Sequence, residues 1–214
     1  MPASVKAIEN NAFEYCSALK SVSLPAGITT IGESAFQGCR VLADINLPDA
    51  LSKIESGVFS GCTTLKNITI PNGVLSIGQY AFSNCSSLEK IVIPDSVTAI
   101  GSEAFYNCRG LKSVSIGGGL KTVPDRFTQC VNVETIIIRE GVTKIAADAF
   151  MYCEKLKQLY IPKTLVEIGS RAFHYSTELE NIYYAESSLD KKTITIDNFN
   201  EPLSSATWHF NSEY

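Results

Sequence analysis

The chain has 214 residues, of which 45% are hydrophobic, and its 18 basic and 22 acidic side chains give a formal net charge of −4. This composition is typical of a packed core and excludes a disordered chain. The charges form no basic stripe, which argues against a nucleic-acid partner. No apolar run reaches the roughly 18 to 20 residues of a membrane span, and the start lacks the pattern of a signal peptide.

A unit of 23 residues repeats along the chain, and one step is shortened to 22. A period this short indicates one supersecondary unit stacked many times, because a single copy cannot bury its own apolar face. A phenylalanine marks each of eight copies. These residues are Phe13, Phe36, Phe59, Phe82, Phe105, Phe127, Phe150 and Phe173.

Within one copy the elements follow a constant order. In the fourth copy Phe82 is followed by Cys85, and the alternating "IVI" at 91–93 predicts a short strand that a proline ends. A second apolar pair, Val97 and Ile100, leads to the next Ala-Phe. The Ala-Phe segment is too short for more than one or two helical turns. We therefore predict a right-handed solenoid with a parallel β-sheet on its concave face and short turns, 3₁₀ turns or short helical segments on its convex side.

The sixth copy departs from this order. The segment from Val123 to Phe127 is one residue short, Arg126 replaces the usual alanine, and residues 117–119 are glycines where proline normally stands. Glycines permit tight turns, and we expect a local kink or a wider turn there. A phosphate cradle is disfavoured because the Gly-x-x-x-x-Gly-Lys spacing is absent.

The chain is predicted to divide into an eight-repeat leucine-rich solenoid, 1–184, and a C-terminal capping segment, 185–214, that completes the sheet. The first copy starts in mid-repeat, so an N-terminal cap is expected to be absent. The stretch Leu203-x-x-Ala206-x-Trp208 fits the strand template once more and is predicted to form a last strand, with Trp208 and Phe210 closing the core. The "TITI" at 193–196 is a candidate for a short cap strand.

Seven cysteines occupy one slot of the repeat, three residues after each of the first seven phenylalanines, and Ser176 fills the eighth. Packing is the favoured interpretation, because a free cysteine behaves as a small buried hydrophobe whose thiol can approach backbone carbonyls. Disulfides remain an alternative, although the number is odd. A metal site and a catalytic thiol are disfavoured, since a straight column does not surround an ion and the two histidines, His174 and His209, lie near one end.

The strand residues between the inward positions point outward, and one outward column changes from polar to apolar along the chain. Its members are Ser23, Asn46, Thr69, Val92, Ser115, Ile137, Tyr160 and Tyr183. Exposed aromatic residues mark interfaces, so Val92, Ile137, Tyr160 and Tyr183 form the candidate binding stripe. The competing interpretation is that tyrosine and isoleucine are simply good strand residues. A weaker second candidate comprises the turn residues Tyr106, Met151, Tyr152, His174 and Tyr175.

The pattern "L-x-x-I-x-I-P-x-x-V-x-x-I-G-x-x-A-F-x-x-C" resembles the leucine-rich repeat of the BspA-like family, found in surface proteins of host-associated bacteria and in some protists. The resemblance covers residues 5 to about 184, and the tail is similar to the closing segment of bacterial members. It implies a domain at the cell surface or secreted, which binds partners or adheres, and it implies no conserved catalytic residues.

The resulting prediction is a non-enzymatic interaction or adhesion module that binds through its concave sheet. The expected partner is a protein, namely a host or self surface protein, with a glycan as the alternative. No cofactor, metal site, nucleic-acid partner or membrane span is predicted. The competing hypothesis is a structural spacer that holds other domains apart and has no ligand of its own.

Overall fold

The computed structural model describes residues 1–188 and 194–212. The chain is a parallel β-solenoid of about nine turns with almost no helix, which confirms the predicted fold class. Numbered in chain order, the elements are β1 (Ala7–Ile8), β2 (Ser21–Val22), β3 (Thr30–Ile31), β4 (Asp44–Ile45), β5 (Lys53–Ile54), β6 (Ser76–Ile77), β7 (Lys90–Ile93), β8 (Ala99–Ile100), β9 (Ser113–Ile116), β10 (Thr122–Val123), β11 (Thr135–Ile138), β12 (Lys144–Ile145), β13 (Gln158–Ile161), β14 (Glu167–Ile168), β15 (Asn181–Tyr184), β16 (Thr195–Ile196), α1 (Glu201–Ser205) and β17 (Thr207–His209).

The concave sheet contains the first strand of each turn of the solenoid. Six strands pair in the order β17-β15-β13-β11-β9-β7, whereas β2 and β4 pair separately and a single bridge joins Asn67 to Lys90. Along the longer strands burial alternates between neighbouring residues, as in β7, where Ile91 and Ile93 are buried. This alternation follows from the two-residue period of a strand, which sends every second side chain into the core.

The second sheet lies along the other extended segment of the repeat. Its strands are shorter and pair in three groups, β1-β3, β5-β6-β8 and β10-β12-β14-β16. In almost every strand the second residue is buried, for example Ile77 and Ile145. The core therefore lies between two parallel ladders and is closed on the convex side by the Ala-Phe turns.

The Ala-Phe segments are turns rather than helices, so the first of the predicted alternatives is the one found. In the second copy, Ser34 and Gly38 have left-handed φ angles of 54° and 71°, and the same two positions recur along the solenoid. A left-handed residue every four positions prevents an α-helix from propagating. The backbone bonds to the next turn of the solenoid instead, as where the N–H of Phe36 donates to the carbonyl of Val58 at 3.0 Å.

The phenylalanines form one continuous column through the core. Neighbouring rings stack with centroids 5.0 to 5.8 Å apart, and every ring from Phe36 to Phe173 is fully buried. Beside them the thiol of Cys85 donates to the carbonyl of Phe59 at 3.1 Å, and the thiols of Cys39, Cys62 and Cys108 make the equivalent contact. The thiols are free and all but that of Cys16 are buried, which confirms the packing interpretation.

The irregular copy interrupts the second sheet. In the described part of the chain β8 and β10 do not pair. Pro124 explains this break, because it has no N–H, whereas Gly101 in the preceding copy donates to Ile77 at 2.8 Å. The concave sheet continues past the break, and Phe127 still stacks on Phe105 at 5.0 Å.

The glycine turn at 117–119 is not the widened turn that the sequence led us to expect. A Cβ atom placed at Gly118 would lie 1.8 Å from the carbonyl oxygen of Glu140, and one at Gly119 would lie 2.1 Å from that of Asp95. Side chains at these positions would collide with neighbouring backbone. The glycines are therefore required by close approach between successive turns of the solenoid. The irregularity of the sixth copy takes the form of missing pairing between β8 and β10.

The C-terminal segment adds one strand to each sheet. β17 pairs with β15, and β16 pairs with β14, so the expected strands exist at Trp208 and within the "TITI" stretch, of which residue 193 lies outside the described residues. Leu203 lies in α1 rather than in a strand. Trp208 and Phe210 meet Tyr184 edge-on at 6.3 and 6.4 Å, at the end of the core. The division into domains 1–184 and 185–214 stays a prediction.

Candidate functional site

The C-terminal half of the concave sheet brings the aromatic members of the predicted stripe together. In the strand register Ile137 lies beside Tyr160, Tyr160 beside Tyr183, and Tyr183 beside His209. All four side chains are half-buried and point away from the core. We call Ile137, Tyr160, Tyr183 and His209 the concave stripe.

The rings of the concave stripe are stacked face to face. Tyr160 and Tyr183 have centroids 4.5 Å apart with an interplanar angle of 11°, and Tyr183 and His209 have centroids 4.8 Å apart. The Tyr160 hydroxyl donates to Gln158 at 3.4 Å, and His209 Nε2 lies 2.8 Å from Asn181 Oδ1. Burial, followed by the neighbouring Tyr183, raises the pKa of Tyr160. The stripe is thus a pre-ordered surface with ring edges and polar tips on the outer side of the sheet.

Val92 lies in the same column but outside the contiguous stripe. The strand register inserts Ser115 between Val92 and Ile137. Val92 is exposed, whereas Ser115 is only 4% exposed because Arg139 reaches across it. The structure therefore separates Val92 from the other three predicted residues by one strand.

Two residues of this surface were missed by the sequence interpretation. His209 could have been found, because the strand template already placed Trp208 inward and thus its neighbour outward. Arg139 occupies the slot that proline fills in other copies, so its signal is a substitution in the turn. Nothing in the sequence alone indicates that its side chain folds back over the sheet.

The turn aromatics form a separate cluster on another face. Tyr152 stacks on Tyr175 at 4.8 Å, and His174 contacts Tyr175 at 4.0 Å. Tyr175 and Tyr106 are exposed, and Met151 is half-buried. Tyr152 and Tyr175 occupy equivalent positions 23 residues apart, so their stacking is packing between successive turns of the solenoid.

A shallow cavity of about 310 Å³ beside the turn cluster groups Ser176, His174 and Glu201. His174 Nδ1 lies 3.7 Å from Glu201, but the hydroxyl of Ser176 is buried without any hydrogen-bond partner. A serine nucleophile needs a base within hydrogen-bond reach. These three residues therefore do not form a nucleophile–base pair in the observed geometry.

The cysteine column has the properties of packing rather than of reactive thiols. Burial raises the pKa of Cys39 to about 11 and that of Cys85 and Cys130 to about 12. Since the thiolate is the nucleophile and the metal ligand, these thiols are held in their inert form at neutral pH. Cys16 is the exposed exception.

Over 1–188 and 194–212, no three His, Cys, Asp or Glu side chains are grouped closely enough to hold a metal ion. None of the helical structure in these ranges is long and apolar enough to span a bilayer.

The stacked strands and repeated core define a leucine-rich repeat solenoid. Residues 1–112 and 75–200 match the family model described as a BspA type leucine rich repeat region. The chain belongs to this family, as the repeat pattern predicted. No curated protein matches it at the level of sequence.

Solved structures of leucine-rich repeat proteins resemble the chain. A leucine-rich repeat protein from Bacteroides ovatus is 28% identical over 96% of the chain with a TM-score of 0.70, and the chain spans 59% of that protein's length. The leucine-rich repeat protein of T. pallidum is 27% identical over the whole chain and 85% of its own length, with a TM-score of 0.63. The pneumococcal vaccine antigen PcpA is 18% identical over 91% of the chain and 42% of its own, with a TM-score of 0.57, which indicates the shared fold alone.

Proposed function

We propose that this chain is a non-enzymatic protein-interaction module that contacts its partner through the concave stripe. The observation that carries the proposal is the ordered stack of Tyr160, Tyr183 and His209 beside Ile137. Aromatic side chains held in place lose little entropy on binding and are enriched at protein interfaces. Membership of a family of interaction and structural repeats supports the same class of function.

The partner is proposed to be a host or self surface protein, with adhesion as the biological role and the cell surface or the secreted fraction as the location. Family membership supports this proposal. A glycan has less support, because the aromatic rings cover one another's faces and a sugar would need a free face for stacking. Val92, which is exposed one strand beyond Ser115, would extend the contact.

The test is a pull-down from epithelial and bacterial surface extracts, followed by affinity measurements with the partner obtained. The Tyr160→Ala/Tyr183→Ala variant should weaken binding at least tenfold, since aromatic interface residues are frequent hot spots. The matched control is Ser23→Ala/Asn46→Ala, which changes the same outward column in the polar half. Unchanged affinity of the tyrosine variant would discard the stripe.

The competing function is a structural spacer. Its specific support is the six-stranded sheet from β7 to β17 and the unbroken phenylalanine column, which are properties of a stiff rod. If the screen finds no partner for this chain while flanking domains of the full protein bind theirs, the spacer function is favoured.

A further inference from the structure

Arg139 lies where two shallow cavities of the concave surface meet. The first cavity, of about 520 Å³, includes Lys90 and Val92, and the second, of about 560 Å³, includes Ile137 and Lys163. Arg139 lines both of them. The second cavity therefore connects Arg139 directly with the beginning of the concave stripe.

The Arg139 side chain follows a defined path over the concave sheet. It crosses to Ser115 on the neighbouring strand, where its Nε donates to the hydroxyl at 3.3 Å. The backbone N–H of Arg139 donates to the carbonyl of Ile116 at 2.9 Å and fixes the main chain at this position. The side-chain bond orients the guanidinium before any partner arrives.

The guanidinium of Arg139 has unused donors. Its Nε is occupied by Ser115, and within the described ranges no carboxylate lies at ion-pair distance from its terminal amino groups. Arg171, by contrast, is engaged through two hydrogen bonds by Asp148 on the turn face. An arginine fork with two free donors matches the two oxygens of a carboxylate.

The surrounding charges favour an anion at this point. Lys90 and Lys163 line the two cavities and add positive charge. The two carboxylates nearby are partly engaged, because Asp95 accepts the N–H of Gly118 at 2.9 Å and Glu140 accepts that of Lys163 at 3.1 Å. Three cations therefore face two acidic side chains that already accept backbone hydrogen bonds.

We propose that Arg139 is the anchor for an acidic side chain of the partner protein, within an extended segment that also places an apolar residue against Ile137 and Tyr160. This inference rests on the proposed function and specifies the chemistry of the segment that is bound. Ser115 acts as a positioning residue, because it holds Nε and leaves the two terminal amino groups directed to the partner.

The test uses a display library of random twelve-residue peptides, selected on the folded chain. The enriched peptides should share an Asp or Glu at one position and an apolar or aromatic residue a few positions away. Binding of a selected peptide should weaken about tenfold to a hundredfold for Arg139→Ala, and by a similar factor when the peptide's Glu is changed to Gln. Combining both changes should cost no more than either alone, because they remove the same contact.

Three further variants test which part of the Arg139 contact is needed for peptide binding. Arg40→Ala removes an exposed arginine that lies beside the turn residues Tyr15 and Gln37, and it should leave peptide binding unchanged. Ser115→Ala should weaken binding several-fold while Arg139→Lys, which keeps the charge but loses the fork, should weaken it nearly as much as Arg139→Ala.

The outcomes separate this inference from the proposed function. Peptides that require Tyr160 and Tyr183 but ignore Arg139→Ala would overturn the anchor and leave the binding stripe standing. Peptides that require Arg139 but ignore the tyrosines would support the anchor and overturn the stripe. A selection without acidic enrichment, or one that yields no peptide sensitive to Arg139→Ala, overturns the inference.

Discussion

The two halves of the concave sheet differ in pairing and in chemistry. The strands β7, β9, β11, β13 and β15 span four residues each and β17 continues their sheet, whereas β2 and β4 span two residues and the third copy has a single bridge at Asn67. The outward residues of the first half, Ser23, Asn46 and Thr69, are polar and exposed. Those of the concave stripe are large and half-buried against one another. The half that pairs most completely is also the half that presents an ordered surface.

The residue after each strand explains part of this difference. The pairs Ile93–Ile116, Ile116–Ile138 and Ile161–Tyr184 are formed where a residue other than proline follows the second partner. In these places Gly117, Arg139 and Ala185 donate their N–H groups to the preceding turn of the solenoid. Where proline follows, as at Pro48, Pro94 and Pro162, the corresponding last pair is absent from the register of the described residues. Proline has no N–H to donate, so this last pair cannot be closed by the residue that follows the strand.

The largest expected effect concerns the phenylalanine column. Phe150→Ala should lower the free energy of unfolding by about 3 to 5 kcal/mol, because it removes a fully buried ring stacked on both sides. Phe13→Ala should cost about half as much, since Phe13 is half-buried and stacks on one ring only among the described residues. Urea denaturation of both variants checks this, and equal costs would contradict the difference between the interior and the first copy.

The next effect is a loss of stability at alkaline pH. The thiols of the unfolded chain ionise around pH 9.0, whereas burial keeps Cys39 protonated to about 11 and Cys130 to about 12. Above pH 9.0 the unfolded state therefore binds fewer protons than the folded state, and each thiol lowers the free energy of unfolding by about 1.4 kcal/mol per pH unit. This contribution is fully present below pH 9.0 and is lost as the pH rises towards the folded pKa.

Cysteine variants isolate this effect from other groups that titrate at high pH. Between pH 8 and 10.5, the free energy of unfolding of Cys130→Ala should fall less steeply with pH than that of the wild type, because one buried thiol has been removed. The urea midpoint at each pH measures this slope. Val133→Ala should leave the slope unchanged, because it truncates a buried side chain of the same copy that does not titrate. Identical slopes for the wild type and Cys130→Ala would contradict the conclusion that burial raises the pKa of the Cys130 thiol.

A smaller and local effect is expected when a proline is removed from the first half. In Pro94→Ala, the new N–H at position 94 should donate to the carbonyl of Ile70 and restore the missing pair. The gain of about 0.5 to 1.5 kcal/mol from one hydrogen bond is offset by the greater freedom of the unfolded chain, so global stability should barely change. Hydrogen exchange should show protection at residue 94 comparable to that of the Gly117 amide, which donates to Ile93 at 2.9 Å. An unprotected amide at 94 would contradict the explanation that the missing N–H of proline prevents this pair.

Much of the fold could be predicted from the sequence, because every apolar position recurs in register and a 23-residue unit has few ways to bury its face. The column of buried phenylalanines, and the thiols that lie beside Phe59 and its equivalents, could be predicted from this period. The path of the Arg139 side chain could not be predicted, since it depends on a hydrogen bond to Ser115, which the sequence pattern does not indicate. The break at Pro124 also needs the structure, because only hydrogen-bonded pairing shows which ladder the short copy interrupts.

The central claim is that the concave stripe, and not the polar half of the same column, contacts a partner protein. Site-specific incorporation of benzoylphenylalanine at position 160 or at position 46 tests this most directly, with irradiation in the presence of the partner from the pull-down. We predict a cross-linked product from position 160 and little or none from position 46. Equal yields from the two positions, or a product from position 46 alone, would contradict the account.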